Sequence, residues 1–396
     1  MHRLIVLNRI RQIFFLGLIF LAYAARAVTF QIADPVEFAK IIDTNSVLTT
    51  NATDNAWLEG PVWIPSGGYL LFCDQGNNRL KKVVPPSTTM TDYLAPAANT
   101  LINGTTLDAQ ERIIAAEAGG AALRIVMITN GTAAALCSTC NGLKFYSPND
   151  VVVKGDGTIW FTDPGYNGGI GSPPQPGFQP GYYVYRFDPT NGNASCVPVI
   201  TNVLIRPNGL VFSPDESKLY VADSDNSRHN IRVYSVSSSN TLSGGTVFAT
   251  VTNGIPDGIR CDSEGRIWSS GGDGAYIFAK DGHLIGKIKF GKISNLCFGG
   301  PQYKTIYMTG QPVVTSLPVL VAGEPAIKKL KMNSDSGNLS LSWPAPSTGF
   351  VLQESDVVDT PDSWIDSALM PVATNGTNVV TIDPTNSARF YRLRLN

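Results

Sequence analysis

The sequence predicts an all-β fold: a six-bladed β-propeller followed by a small C-terminal β-sandwich. Three observations predict it. Beyond residue 27, helical periodicity is nearly absent, and 38 glycines with 26 prolines make the chain dense in turns. A strand–turn–strand unit recurs, as in Pro61–Asp74, Asp150–Asp163, Gly209–Asp223 and Gly258–Ser270. Each of these copies opens on a turn that carries an acid or an amide: Leu-Glu-Gly-Pro at Glu59, Ser-Pro-Asn-Asp at Asn149 and Asp150, Arg-Pro-Asn-Gly at Asn208, and Ile-Pro-Asp-Gly at Asp257.

Residues 1–27 read as a secretory signal peptide. Arg3, Arg9 and Arg11 precede an apolar run from Ile13 to Leu21, and Ala25-Arg26-Ala27 gives a small-x-small cleavage pattern. The apolar run is short for a membrane span, the alternative reading. No later stretch of sequence is long and apolar enough for one. The mature chain is expected to start near Val28 and to be exported to the periplasm or the extracellular space. A short amphipathic helix is expected over Pro35–Ile42, with Val36, Phe38, Ile41 and Ile42 on its apolar face.

Residues 28–320 are assigned to the propeller. The strong units continue into third strands at Tyr182–Phe187, Ile231–Val236 and Ala275–Phe278. Two weaker copies, Leu107–Ala116 with Leu123–Met127 and Ile293–Phe298 with Thr305–Thr309, bring the count to six. A unit of short antiparallel strands cannot bury both faces alone, and radial packing of the units solves this. A β-sandwich is the rival arrangement, but it leaves the repeated turn motif unexplained. Residues 321–337 read as a linker. Residues 338–396, with half-buried alternation in Asn338–Trp343 and Gly349–Gln353, read as the small sandwich, an accessory domain.

Charge narrows the partners. Removing residues 1–27 takes four arginines and no acids from a chain with 30 basic and 31 acidic residues, which leaves a net charge of −5. Nucleic acid is therefore not an expected partner. Of six cysteines, Cys137 and Cys140 form a single CxxC. Without a second pair it does not make a zinc ribbon, and it reads either as a local disulfide or as two reduced thiols. Cys73, Cys261 and Cys297 lie in apolar strand contexts and read as core. Asn51, Asn103, Asn130, Asn193, Asn338 and Asn375 begin glycosylation sequons.

In a propeller the innermost strand of each blade follows the central channel, so a residue just before that strand stands at the channel mouth. Glu59, Asn149, Asn208 and Asp257 all hold this position. Oxygen donors brought together from separate turns suit a hard cation such as calcium, and their spacing is far wider than an EF-hand loop of about 12 residues. Asp163 and Asp223, which end second strands, read as turn residues. Asp156, Asp215 and Asp262 read as hairpin turns at the opposite end. Of the two histidines outside the leader, His283 reads as solvated. His229 lies in a polar loop that could border the channel. No Gly-x-Ser-x-Gly elbow is present, so a serine hydrolase is unsupported.

These motifs resemble the gluconolactonase, regucalcin (senescence marker protein) and luciferin-regenerating-enzyme family. The resemblance covers roughly Asn55 to Thr309, through Leu58–Trp63, Ser147–Val152 with Ile159–Pro164, Arg206–Leu210 with Leu219–Asp223, and Pro256–Ile259. It implies hydrolysis of a small-molecule lactone, commonly a sugar lactone, at a divalent metal that is usually calcium. Motif match places Glu59, Asn208 and Asp257 among the metal ligands and Asn149 as a further ligand or substrate contact. Asp257 is the first candidate for general base, then Glu59, then Asp150, which otherwise contacts substrate or supports the site. The second blade departs from the family pattern, with Ala118 where a histidine is common. An organophosphate or aryl-ester hydrolase, and a non-catalytic metal-stabilised binding propeller, are the alternative functions.

Overall fold

The computed structural model describes residues 28–396 apart from 54–55, 96–99, 109, 121, 167–171, 311, 325–329, 336–337, 345–349, 358–362, 375–376, 384–388 and 396. The expected leader and part of the expected linker lie outside the described residues. Among the described residues no helix is long and apolar enough to cross a membrane.

The structure is nearly all-β and β-propeller-like. Six antiparallel sheets follow one another along the chain and span 58–94, 102–137, 151–200, 207–250, 259–289 and 293–318. Within each, strands pair in chain order as a meander. The first strands are Leu58–Ile64, Ile102–Leu107, Val151–Val153, Pro207–Phe212, Ile259–Cys261 and Ile293–Gly299. Each first strand touches the first strand of the next sheet, and the sixth returns to touch the first, so the six form a closed ring.

The N-terminal segment completes the circle. Thr29–Ile32 adds a fifth strand to the fifth sheet by pairing with Leu284–Lys289. Thr49–Ala52 then supplies the fourth strand of the sixth sheet, beside Val314–Pro318. Between them runs the expected helix, at Pro35–Ile41. Asp34 caps it by accepting from the N–H groups of Val36 and Glu37, and Pro35 occupies its first turn, where no N–H is needed. Its apolar side buries Phe38 and Ile41.

Apolar alternation explains how the sheets stack. One face of each packs on its predecessor and the other on its successor, which gives a core layer at every junction. Leu71, Leu80, Ile113 and Val126 join the first and second sheets. Ile125, Phe145, Phe161 and Tyr185 join the second and third. Trp160, Val184, Leu210 and Leu219 join the third and fourth. Ile231, Ile259, Ile267 and Tyr276 join the fourth and fifth. A larger cluster ties the fifth and sixth sheets to the first and to the helix, with Trp63 stacked 5.6 Å from Tyr307 and Trp268 edge-on to Phe298 at 5.2 Å.

Beyond the ring, Val321 and Ala322 remain in this last core, and Glu324 N–H donates to the Cys261 carbonyl. A separate four-stranded sheet begins at Lys331, inside the stretch read as linker, and continues with Asn338–Pro344, Val372–Thr374 and Thr377–Ile382. A three-stranded sheet holds Phe350–Ser355, Ile365–Asp366 and Phe390–Leu395. Leu341, Trp343, Leu352, Val380 and Ile382 form the core of this C-terminal segment.

At the hairpin end of the ring, polar turns tie neighbouring sheets together. Asp156 accepts from Thr158 Oγ1 at 2.7 Å, Lys154 Nζ at 3.0 Å and, across to the fourth sheet, Asn240 Nδ2 at 2.7 Å. Burial works against its charged form, but the Thr158 hydroxyl, the Asn240 amide and the Lys154 ammonium outweigh it and hold the carboxyl at about 2. A carboxyl held below its unfolded value adds stability that is complete above pH ~4 and is lost as pH falls through about 2. Asp156→Asn is expected to lower unfolding free energy at pH 7 by about 1 kcal/mol, after allowing for solvent screening. Chemical denaturation of both proteins at pH 7 and at pH ~2 checks it: the gap should close at the lower pH.

Candidate functional site

The residues singled out in the sequence sit where the ring's first strands begin, and irregular pairing puts them there. Register breaks lie between Glu59 and Val62, Ile102 and Thr105, Pro207 and Leu210, and Ile293 and Asn295. A bulge at the start of a strand re-aims its side chains, which alternation alone would send into the core layers. Glu59, Asn103, Asn208 and Ser294 all lie in these bulges. Gly60 has φ +47° and would drive a Cβ into the Asn103 carbonyl, so the first bulge requires glycine.

Hydrogen bonds cross all six junctions at this end. Thr105 Oγ1 donates to Gly60 O at 2.5 Å, and Gly104 N–H donates to Asn149 O at 2.7 Å. The Leu210 N–H donates to the Asp150 carboxylate. Gly209 N–H reaches Asp257 O at 3.0 Å, and Gly258 N–H reaches Ser294 O at 2.8 Å. Ser294 Oγ closes the circle on Leu58 O.

Three carboxylates meet inside this ring. Glu59 and Asp150 are buried, and Asp257 is partly exposed. Burial, then the charges of Asp257 and Asp150, push the Glu59 carboxyl well above its usual range. Burial and the charge of Asp150 raise Asp257 to about 7, against the pull of Lys292 and a hydrogen bond from Asn208. Burial raises Asp150 too, opposed chiefly by Arg260, whose Nη1 lies 3.4 Å from Asp150 Oδ2. The structure thus brings Glu59, Asp150, Asn208 and Asp257 together. Asn149 joins through its peptide, which donates to Thr162 O at 2.8 Å and accepts from Gly104.

Other residues at the mouth escaped the sequence reading. Trp57 Nε1 donates to Glu59 Oε1 at 3.0 Å, and Lys292 Nζ lies 4.6 Å from the centre of the Trp57 ring. Asn295 Nδ2 reaches Glu59 Oε2 at 3.5 Å. The Tyr166 phenol oxygen bonds with Ser224 and Asn208 and feels the Asp257 charge, and Arg206 lies over the Tyr166 and Tyr182 rings. Asn103-Gly104 is the second sheet's copy of Glu59-Gly60 and Asn208-Gly209. Its strand, Ile-Asn-Gly-Thr-Thr-Leu, lacks apolar alternation, so the sequence places the start of this unit at Leu107 instead.

Asp163 and Asp223 do more than turn the chain. Asp163 accepts from the N–H groups of Tyr146 at 2.8 Å and Ser147 at 2.5 Å, and Asp223 accepts from Ile205 at 3.1 Å and Arg206 at 2.9 Å. Asp74 does the same for Ala56. Each braces the segment that leads into a site motif. His229 turns both ring nitrogens to backbone carbonyls, of Gly254 and Asn226, and His283 sits in a surface turn against Asp281.

A cavity of about 570 Å³ lies at the other end of the first strands, lined by Trp63, Thr106, Val153, Phe212, Cys261 and Cys297. Among its charged groups Asp108 pairs with Arg112 and Glu216 with Lys154. At the mouth, by contrast, the charges of Asp150 and Asp257 bear on Glu59 and that of Asp150 bears on Asp257. Among the described residues no three His, Cys, Asp or Glu side chains form a metal-ligand group. The mouth's oxygens come from amides as well as carboxylates.

Fold and site together define a β-propeller-like protein with an acid–amide cluster at the mouth of its ring. Residues 57–311 match the SMP-30/Gluconolactonase/LRE-like region, and the chain belongs to that family. It is 31% identical over 283 residues to a gluconolactonase of Zymomonas mobilis, covering 65% of this chain and 78% of that one. It resembles the solved gluconolactonase of Xanthomonas campestris with a TM-score of 0.67 and 32% identity, over 74% of this chain and 96% of that one. A calcium-binding protein, regucalcin, from Agrobacterium tumefaciens shares the fold at 16% identity, with a TM-score of 0.55 over 71% of this chain and 99% of that one.

The bulge at Gly209 offers a direct test of the ring. A Cβ there would collide with the Asp257 carbonyl and crowd Ile259 N at 2.7 Å. Gly209→Ala should cost about 1–3 kcal/mol of unfolding free energy, as overpacking does. Denaturant melts read the effect, and an unchanged midpoint would show that the junction is not tight.

Proposed function

We propose that the protein is a lactone-hydrolysing enzyme of the gluconolactonase type, that its ring is a six-bladed propeller, and that its mouth binds a divalent cation, calcium by preference. The observation that carries this reading is the cluster of Glu59, Asp150 and Asp257, in which the charges of Asp257 and Asp150 raise the Glu59 carboxyl and that of Asp150 raises Asp257. Family membership and the gluconolactonases of similar sequence support lactone hydrolysis. The calcium-binding regucalcin of the same fold supports the choice of metal.

The donor set fits a hard cation. Every candidate ligand atom is oxygen, and two carboxylates with neutral amides balance a dication while leaving positions open for substrate and water. Glu59, Asn208 and Asp257 would hold the ion, with Asn149 as a further ligand or substrate contact. When bound, such a cation supplies polarisation of the lactone carbonyl and stabilisation of the oxyanion.

The remaining work falls to this chain's own side chains. Trp57 fixes the orientation of Glu59 through Oε1. Asn208 fixes Asp257 and is itself met by Tyr166. Asp257, the more exposed of the three acids, is the general base: its carboxylate takes a proton from the attacking water and returns it to the ring oxygen as the ester bond breaks. Water adds to the carbonyl carbon, and the product is the open hydroxy acid. Asp150, held by Arg260 and Leu210 N–H, lines the substrate side. Trp57 and Tyr166 offer apolar faces beside the polar mouth. Lys292, held over Trp57, faces the negative charge that develops.

The same reading includes export guided by residues 1–27 and an accessory β-sandwich at the C-terminus.

Turnover of a panel of aldonolactones, followed by acid release with and without chelator, tests the function. Hydrolysis that a chelator stops and calcium restores is the expected result. No turnover of any lactone or ester with the cation bound would favour a binding protein. Asp257→Asn should lower kcat by about 10²-fold or more, and near-normal kcat would remove Asp257 from the role of base.

A further inference from the structure

Three cysteines that lactone hydrolysis does not use lie together: Cys137 and Cys140 are near neighbours in the chain, and Cys196 lies 56 residues beyond Cys140. Cys137 ends the outer strand of the second sheet, Thr132–Cys137. Cys140 belongs to a small hairpin of Thr139–Cys140 with Leu143–Lys144. Cys196 immediately precedes the outer strand of the third sheet, Val197–Ile200. All three are buried in the core layer between those sheets. Cys140 Sγ lies 3.1 Å from the Cys196 carbonyl oxygen, and the Cys196 thiol is within hydrogen-bonding range of both the Cys137 and Cys140 thiols.

The backbone holds them in register. Asn193 Oδ1 accepts from Ser138 N–H at 2.7 Å and from Thr139 N–H at 3.1 Å, pinning the loop between Cys137 and Cys140 against the turn that leads to Cys196. Gln179 Nε2 donates to Cys140 O at 2.8 Å. Cys137 Sγ is turned toward the Thr139 carbonyl, 3.5 Å away. Among the described residues the trio does not form a metal-ligand group. Cys73, by contrast, lies in the first sheet and donates to the Asn103 carbonyl of the second.

We propose that Cys140 and Cys196 form a disulfide when the protein matures in an oxidising environment, with Cys137 left as a thiol beside it. The bridge staples the outer edges of the second and third sheets and closes a loop of more than fifty residues, long enough to restrict the unfolded chain strongly. The oxidant is an external disulfide. The Cys140 thiolate attacks it, forming a mixed disulfide and releasing one external thiol. The Cys196 sulfur then attacks the Cys140 sulfur, and the second external thiol leaves with its proton. Two protein thiols are oxidised and one external disulfide is reduced. The Cys196 thiol's hydrogen bond, against the effect of burial, holds the Cys140 thiol below its ordinary range, which suits it to attack first.

The full chain, expressed with an export leader and purified without reductant, is denatured, alkylated and digested for mass spectrometry. Four alkylated cysteines and a peptide pair joined through Cys140 and Cys196 are expected. Cys137→Ser should keep that pair, and Cys196→Ser should lose it. Reductant should lower the thermal midpoint of the wild type by on the order of 5 °C and leave Cys196→Ser unchanged. Six alkylated thiols, a Cys137–Cys140 bridge, or loss of the joined pair in Cys137→Ser would each overturn the proposal.

Discussion

Repulsion among carboxylates crowded at one mouth is the constraint around which this molecule is built. Glu59, Asp150 and Asp257 start strands in the first, third and fifth sheets, and in an unfolded chain nothing keeps them near each other. Bringing them to one small, poorly solvated mouth costs free energy through both desolvation and like charge. That cost must be met by contacts elsewhere. They are the four apolar layers that join the first five sheets in succession, the larger layer that ties the fifth and sixth sheets to the first, and the hydrogen bonds that cross every junction at the mouth. The closing strand Thr49–Ala52 belongs to the same device, because an open ring would let the acids drift apart.

Bulges convert a sheet scaffold into a site. A regular first strand would alternate its side chains between the two neighbouring core layers. The register breaks at Glu59, Asn103 and Asn208 rotate acid and amide side chains toward the ring axis instead. Asp74 and Asp223 accept N–H groups just upstream of the breaks at Glu59 and Asn208, and Asp163 does the same ahead of Asn149. Positive charge is then rationed. Arg260 is spent on Asp150 and Lys292 bears on Asp257, while among the described residues Glu59 accepts from the uncharged donors Trp57, Gly60 and Asn295. This uneven distribution leaves a mouth that is short of positive charge, which is what a resident cation would supply.

The strong units were legible because strand alternation, Gly-containing turns and the acid or amide motif agree in Leu58–Asp74, Asn149–Asp163, Asn208–Asp223 and Asp257–Ser270. Where the inner strand is polar, agreement fails. Ile102–Leu107 sets Asn, Gly and two Thr where apolar alternation would mark a strand, so the sequence places the second unit five residues late and Asn103 reads only as a sequon. Lys331–Asp335 was read as linker because pairing with Asn338–Pro344, not its own pattern, makes it a strand. Asp163 and Asp223 looked like turn formers since their partners lie 16 to 18 residues earlier in the chain.

By itself the sequence determined the β class, the repeat, the short amphipathic helix at Pro35 and the identity of four motif positions, because each is written in local pattern: alternation, helical spacing, a turn residue. Only tertiary structure decided what those positions meet. Trp57, Tyr166, Lys292 and Asn295 gain their places at the mouth from neighbouring strands and loops across the ring. Cys196 approaches Cys137 and Cys140 only because the second and third sheets stack. Such contacts depend on closing long loops around one axis, and no window of sequence records which distant residues that closure brings face to face.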